Sequence, residues 1–221
     1  MQAIESQNLI LYQTDLRGQW PAERARAFAA RLPYARRLAL GSGSAAAHAS
    51  LAGIALALRA LARLLGRRVQ AAEILFTRGE KPRLAPPAPP AAGEAPLAHR
   101  GSAAADGRTR GDFSISHAGP WVACAALSHA RVGLDVEVGT DERIADWVLR
   151  EAALKAGGEG VRALREVQSA PVHAGCLRWR GELWHVRRLE GFDGASACIV
   201  CSRAVPAVET HALALAELFV S

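Results

Sequence analysis

Residues 132–160 constrain the fold more than any other stretch of the chain. They read V-G-L-D-V-E, then residues 138–146, then W-V-L-R-E-A-A-L-K-A-G-G-E-G. The first part alternates. Val132, Leu134, Val136 and Val138 take one face of a strand, and Gly133, Asp135 and Glu137 take the other. The second part has a helical period: Trp147, Glu151 and Lys155 are spaced i, i+4, i+8 and share one helix face. Gly157 and Gly158 end that helix. Side chains two apart on a strand lie roughly 6.5–7 Å apart on the same side. Asp135 and Glu137 therefore repel each other unless a cation sits between them. Alone, the strand reads equally as a solvated edge and the Glu–Lys pair as surface decoration. Together they describe a divalent-metal site made by Asp135, Glu137 and Glu151, with Lys155 facing an anion that the metal also touches.

A chain of 221 residues, half of them hydrophobic, holds one large domain or two small ones. A net charge of +6 suits an anionic partner such as a nucleotide, an acidic protein or nucleic acid. Aromatic residues make up only 5% and no basic stripe interleaves with them, which argues against nucleic acid. Arg carries nearly all the positive charge. Lys occurs only at Lys81 and Lys155, positions where a compact ammonium suits better than a planar fork. Cys198 and Cys201 form C-x-x-C inside an apolar run with no second such motif, so they read as strand residues rather than metal ligands. The N-terminal residues lack a basic segment followed by an apolar run, and Arg59 and Arg63 interrupt the most apolar helix. No secretory leader and no membrane span are expected, and a reducing cytoplasm is the expected location.

Local patterns place a strand at 8–13, a helix from Pro21 to about Arg31, and a long helix from about Ala45 to Leu65 stopped by Gly66. A short strand follows at 74–77, then the turn G-E-K-P-R-L. Residues 86–110, rich in Pro, Ala and Gly, read as a loosely packed loop. Phe113 to Gly119 leads as a Ser/Gly-rich turn into a strand at Trp121–Leu127. That strand is expected to form a hairpin with the Asp135/Glu137 strand. A short helix or turn is expected at 161–167, a second hairpin at 177–188 and a last strand at 195–202. A tail helix is expected at 212–219.

Other residues suit anion binding. In the S-I-S-H-A-G turn, backbone N–H groups, the Ser116 hydroxyl and the His117 imidazole can form a concave donor site. Pro82 fixes the turn that aims Lys81. Arg36 and Arg37 are paired before the long helix, and Ser50 lies early on it. No P-loop, dinucleotide-binding or G-x-S-x-G pattern occurs.

The runs A-H-A-S-L-A-G, G-E-K-P-R-L, F-S-I-S-H-A-G, V-G-L-D-V-E and W-V-L-R-E-A-A-L-K-A-G-G-E-G occur in an order that resembles the 4′-phosphopantetheinyl transferase superfamily. The resemblance is to the type serving secondary-metabolite and fatty-acid carrier proteins, and it spans about residues 32–202. It implies an α+β fold of two pseudo-symmetric lobes, each a small antiparallel sheet packed on a long helix, with the ligand cleft between them. The division would fall at 1–110, including the Pro/Ala/Gly-rich loop at 85–110, and 111–221, which carries the metal motifs. It implies Mg2+ on Asp135, Glu137 and Glu151, and coenzyme A as co-substrate contacted by Arg36, Arg37, Ser50, Lys81, Pro82, Ser116, His117 and Lys155. It gives Glu151, Lys155 and His117 catalytic roles in transfer to a serine of an acyl or peptidyl carrier protein. A monomer is expected. The chain departs from the family pattern in its short 138–146 connection, in Ala49 after A-H where Arg is typical, and in Arg150 and Ser114 where Lys and Asn are common. The alternative is a non-catalytic coenzyme A-binding or protein-interaction relative that has lost normal carrier docking.

Overall fold

A computed structural model describes residues 9–33, 36–37, 40, 43–77, 80–86, 111–160, 163–168, 170–204 and 207–220. The loosely packed loop expected before residue 111 lies outside the described residues over 87–110, as do 161–162 of the expected turn.

Strand β1 (Leu9–Asp15) is followed by α1 (Ala22–Ala30) and the long α2 (Ala45–Leu65). Ser44 caps α2, its side chain accepting from Ala47 N, and Gly66 closes it in the left-handed region at φ 62°. Short strands β2 (Ile74–Leu75) and β3 (Arg83–Leu84) pair with each other. Next come β4 (Gly111–Ala118), β5 (Trp121–Ser128), β6 (Val132–Val138), α3 (Glu142–Gly157) and α4 (Leu164–Gln168). The chain then forms β7 (Val172–His173), β8 (Cys176–Trp179), β9 (Glu182–Leu189), β10 (Ala195–Cys201) and β11 (Val208–Leu213). The fold is mixed α+β. One sheet has the order β11-β1-β5-β4 and another β6-β10-β9-β8-β7. Among the described residues all pairings are antiparallel except β1 with β11.

Period-two alternation explains the layering. Ile10, Val122, Cys124 and Ala126 point to α2, where Leu56, Ala57, Ala60 and Leu61 are fully buried. Leu9, Leu11, Ala123, Ala125 and Leu127 point the other way and meet Val132, Leu134, Val136, Ala197 and Ile199 of the second sheet. Cys198 and Val200 turn to the far side and pack under α3 with Val148, Ala152 and Leu154. The order is helix, sheet, sheet, helix. Helix α2 is long and apolar enough to cross a membrane, with a mean hydropathy of 1.5, but its apolar side is the core of the first sheet.

Some expectations require correction. Strands β5 and β6 do not form a hairpin. Strand β5 is already flanked by β1 and β4, so residues 129–131 carry the chain across to the edge of the other sheet. The expected tail helix is strand β11 followed by a turn at 215–219, because β1 offers an open edge and Leu218 and Phe219 find burial against α2. The first sheet takes β1 from one side of the expected division at residue 110 and β4, β5 and β11 from the other. The hairpin of β8 and β9 turns through Arg180 and Gly181, both at positive φ, as a tight two-residue connection requires.

Among the described residues, strand β6 pairs on one side only, with β10. Its outer N–H groups would be buried without partners, a cost of roughly 1–3 kcal/mol each. Strand β4 meets this need with side chains. Asp112 Oδ2 accepts from Val132 N (2.8 Å), Ser114 Oγ from Leu134 N (3.0 Å) and Ser116 Oγ from Val136 N (3.3 Å). The seam between the sheets is therefore a ladder of side chain to backbone bonds, and it runs into the site.

Candidate functional site

The site begins with a close approach of helix and strand. Gly133 on β6 faces α3. A Cβ there would lie 1.9 Å from the Ala152 carbonyl oxygen and 2.4 Å from Ala156 N. Only glycine lets the helix backbone sit this low. The strand leads into the helix through residues 139–141, with Asp141 as N-cap accepting from Arg143 N and Ile144 N. Gly139 N–H bonds to the Gly194 carbonyl and anchors the turn. Helix α3 thus runs back over β6 and lays Glu151 and Lys155 against Asp135 and Glu137. Arg150 fastens its other side: the guanidinium is buried and donates to the carbonyls of Val167 and Ala170, each at 2.7 Å.

Asp135 is 3% exposed. Its Oδ1 accepts from Lys155 Nζ at 2.6 Å and from Ser116 Oγ at 2.9 Å. Lys155 Nζ also donates to Ser116 Oγ at 3.0 Å. Ser116 is thereby saturated, giving its one proton to Asp135 and accepting from Lys155 and from Val136 N. Asp135 Oδ2 is buried and has no hydrogen-bond partner among the described residues. An orphaned carboxylate oxygen in such a place is costly unless a cation or donor meets it.

The neighbours feel this charge. Burial first, and then Asp135, push Glu151 above the usual carboxylate range; Lys155 opposes the rise and Glu137 adds to it. Burial and Asp135 push Glu137 up as well, again opposed by Lys155. The His117 ring is exposed at its surface, yet partial burial, and next the charge of Lys155, hold it below the ordinary imidazole value. Three carboxylates share one ammonium, so the group is short of positive charge. Hard oxygen donors with one oxygen left unpartnered suit a small divalent cation. Among the described residues no three His, Cys, Asp or Glu side chains form a ready-made metal cage. The cation that touches Asp135 is Lys155.

The structure thus gathers Ser116, Asp135, Glu137, Glu151 and Lys155, with His117 at the rim. His117 is not in a turn, as expected, but in the last residues of β4, opposite Val122. The other expected residues have different surroundings. Lys81 Nζ donates to Asp112 Oδ2 (2.5 Å) and to the Val132 carbonyl (2.6 Å), at the far end of β6 from Glu137. Pro82 follows it, half-buried. Arg36 lies over the Phe76 ring at 4.5 Å, and its burial lowers its pKa. Arg37 donates to the Ala30 carbonyl. Gly53 packs on Ile115 and Gly111 on Leu64, so α2 runs antiparallel to β4 and brings Ser50 to about the level of His117. His48 of the A-H-A-S run stacks on Trp20 at 4.1 Å instead of facing the site.

Sequence reasoning missed Asp112, Ser114 and Gly133. The signal was present: D-F-S-I-S alternates polar and apolar with period two, which marks a strand with one polar face. Cys198 and Cys201 are buried β10 residues, as expected, and burial raises both thiols to about 12. No protein-family model and no curated protein sequence matches this chain.

Proposed function

We propose that this chain transfers the 4′-phosphopantetheine group of coenzyme A to a serine of an acyl or peptidyl carrier protein, releasing 3′,5′-ADP. The observation that carries the reading is the buried Oδ2 of Asp135, without a partner among the described residues, close enough to Glu137 and Glu151 that its charge, after burial, pushes both up. Asp135, Glu137 and Glu151 would hold Mg2+. When bound, the metal supplies a Lewis acid for the pyrophosphate oxygens and offsets the surplus negative charge. Lys155 and His117 orient the pyrophosphate through charge and N–H donation. Glu151, whose carboxylate burial and Asp135 push above its ordinary range, takes the proton from the serine hydroxyl, directly or through a water. The serine oxygen attacks the β-phosphorus, and Lys155 stabilises charge developing on the phosphoryl oxygens. Ser116 keeps Asp135 and Lys155 in place.

In this reading the two sheets, each with a long helix on its outer face, are pseudo-symmetric lobes, and the ligand cleft opens at the β4–β6 seam. The net charge of +6 suits an acidic carrier protein. Four unpaired cysteines suit a reducing cytoplasm. The protein acts as a monomer.

Two observations favour a second reading, a coenzyme A-binding relative without transfer activity. The link between β6 and α3 is only residues 139–141, and Lys155 already neutralises Asp135 Oδ1. One experiment separates the two. The protein is incubated with coenzyme A, Mg2+ and a panel of apo carrier proteins, and the carriers are weighed by mass spectrometry. A holo mass shift that vanishes in Asp135→Ala and Glu151→Ala supports transfer. Coenzyme A binding with no mass shift on any carrier supports the second reading. Neither binding nor transfer would refute both.

A further inference from the structure

The second sheet has a face that this site does not use. Strands β8 and β9 place Cys176 directly opposite His185, and Cys176 Sγ lies 3.6 Å from His185 Nδ1. Directly opposed residues project from the same face of a sheet. The next pair, Leu177 and Trp184, points into the core under α3. Cys176 and His185 therefore open on the other side, away from Asp135 and Glu151. A cavity of about 270 Å³ lies there, bounded by Cys176, His185, Arg187, Arg203, Leu9 and Val208. No carboxylate side chain is among its described lining residues. Arg203 is held at this cavity by a 2.7 Å bond to the Ser128 carbonyl, and Arg187 is exposed.

Of the four cysteines, Cys124, Cys198 and Cys201 are buried, and their thiols are held protonated by burial. Cys176 alone is accessible, and it has an imidazole beside it. A nucleophile within reach of a base, in a cavity walled by cations, is the arrangement that activates thiols and draws anions.

We propose that Cys176 is a nucleophilic thiol, assisted by His185, that exchanges with small disulfides bearing carboxylates. With its own proton on Nε2, His185 accepts the Cys176 thiol proton at Nδ1. The Cys176 sulfur attacks one sulfur of the small disulfide. The old S–S bond breaks as the new one to Cys176 forms, and the departing thiolate takes the proton back from the imidazolium. The protein thiol is oxidised and half of the disulfide is reduced, so no further oxidant enters. Arg187 and Arg203 attract the carboxylates. At about 270 Å³ the cavity lies just below the range of about 300–1,000 Å³ common for ligand pockets, which suits a small disulfide. Cys201 also neighbours His185, on the opposite strand β10. Cys176 and Cys201 are thus two strands apart, roughly 9.5 Å, too far for an internal disulfide. The product therefore stays a mixed disulfide with the small molecule.

The test uses the full chain with oxidised glutathione and, in parallel, with neutral 2-hydroxyethyl disulfide, followed by intact mass over time and peptide mapping. A single adduct on Cys176 is expected, with oxidised glutathione reacting about tenfold faster than the neutral disulfide. His185→Phe should slow both reactions by about 100-fold. His185→Gln, which keeps polarity but not the basic nitrogen, gives the same readout should His185→Phe unfold. Arg187→Gln combined with Arg203→Gln should abolish the preference for the anionic disulfide and leave the neutral rate unchanged. Adducts on another cysteine, equal rates with the two disulfides, or an unchanged rate in both His185 variants would overturn the proposal. Because the site lies on the opposite face of the sheet from Asp135, carrier modification with Asp135→Ala controls reports separately on the transferase reading.

Discussion

Replacing Gly133 by alanine tests the contact on which the site depends. The new Cβ would lie 1.9 Å from the Ala152 carbonyl oxygen and 2.4 Å from Ala156 N, whereas real Cβ contacts essentially never fall below 3.0 Å. Both obstacles are helix backbone, so no rotamer change relieves them. Helix α3 must retreat from β6 by at least about 1.1 Å. Overpacking costs about 1–3 kcal/mol, and a rigid backbone obstacle puts this case near the upper figure. In urea that moves the unfolding midpoint down by about 1 M, and it lowers Tm by roughly 6–12 °C. The functional loss should exceed the loss of stability. Glu151 and Lys155 ride on α3 while Asp135 and Glu137 stay on β6, and a displacement of about 1 Å between groups that act together costs roughly 100-fold in rate. Urea titration by circular dichroism, Mn2+ binding and carrier modification should be measured together below the midpoint. Gly160→Ala is the control, since nothing lies within 4 Å of a Cβ there. If Gly133→Ala unfolds at the wild-type urea concentration and binds Mn2+ normally, the helix does not rest on this strand as described.

Lys81→Met should destabilise the fold by about 3–5 kcal/mol, because it strands Asp112 beside the first rung of the β4–β6 ladder. A change in coenzyme A affinity with an unaltered urea midpoint would instead make Lys81 a ligand contact. Ser116→Ala removes the acceptor of Val136 N–H and a donor to Asp135, and should cost about 1–3 kcal/mol in urea unfolding; no loss would mean that the hydroxyl is not the hub of the cluster. Glu137 and Glu151 titrate above the usual carboxylate value, so the folded state holds protons that the unfolded chain has already lost. Stability contributed by these groups therefore falls as pH rises from the usual value through the raised one, and stays low above it. Glu151→Gln should raise Tm over wild type at about pH 7.5, with the difference closing near pH 4, below the ordinary carboxylate value. Mg2+ should raise the wild-type Tm at the higher pH more than that of the variant. Equal melting of the two proteins at both pH values would mean that Glu151 is not crowded by charge.

Much of the site was legible because its parts are local. Period-two alternation puts Asp135 beside Glu137, a helical period puts Glu151 beside Lys155, and a chain of a few residues joins them. The start and end of α2 were equally local, set by Ser44 and Gly66. What could not be read were choices made over long separations. The apolar pattern of β5 fits a hairpin with β6 as well as it fits a strand already flanked on both edges; only β1, more than a hundred residues earlier, decides against the hairpin. Val208–Leu213 became a strand because β1 left an edge open, not because its own pattern demanded it. Lys81 is one of two lysines, but its partner is set by where β4 meets the unpaired edge of β6. The sequence by itself determined which side chains share a face. The tertiary structure alone decided what each face meets, because pairing partners and buried hydrogen bonds depend on elements distant in the chain.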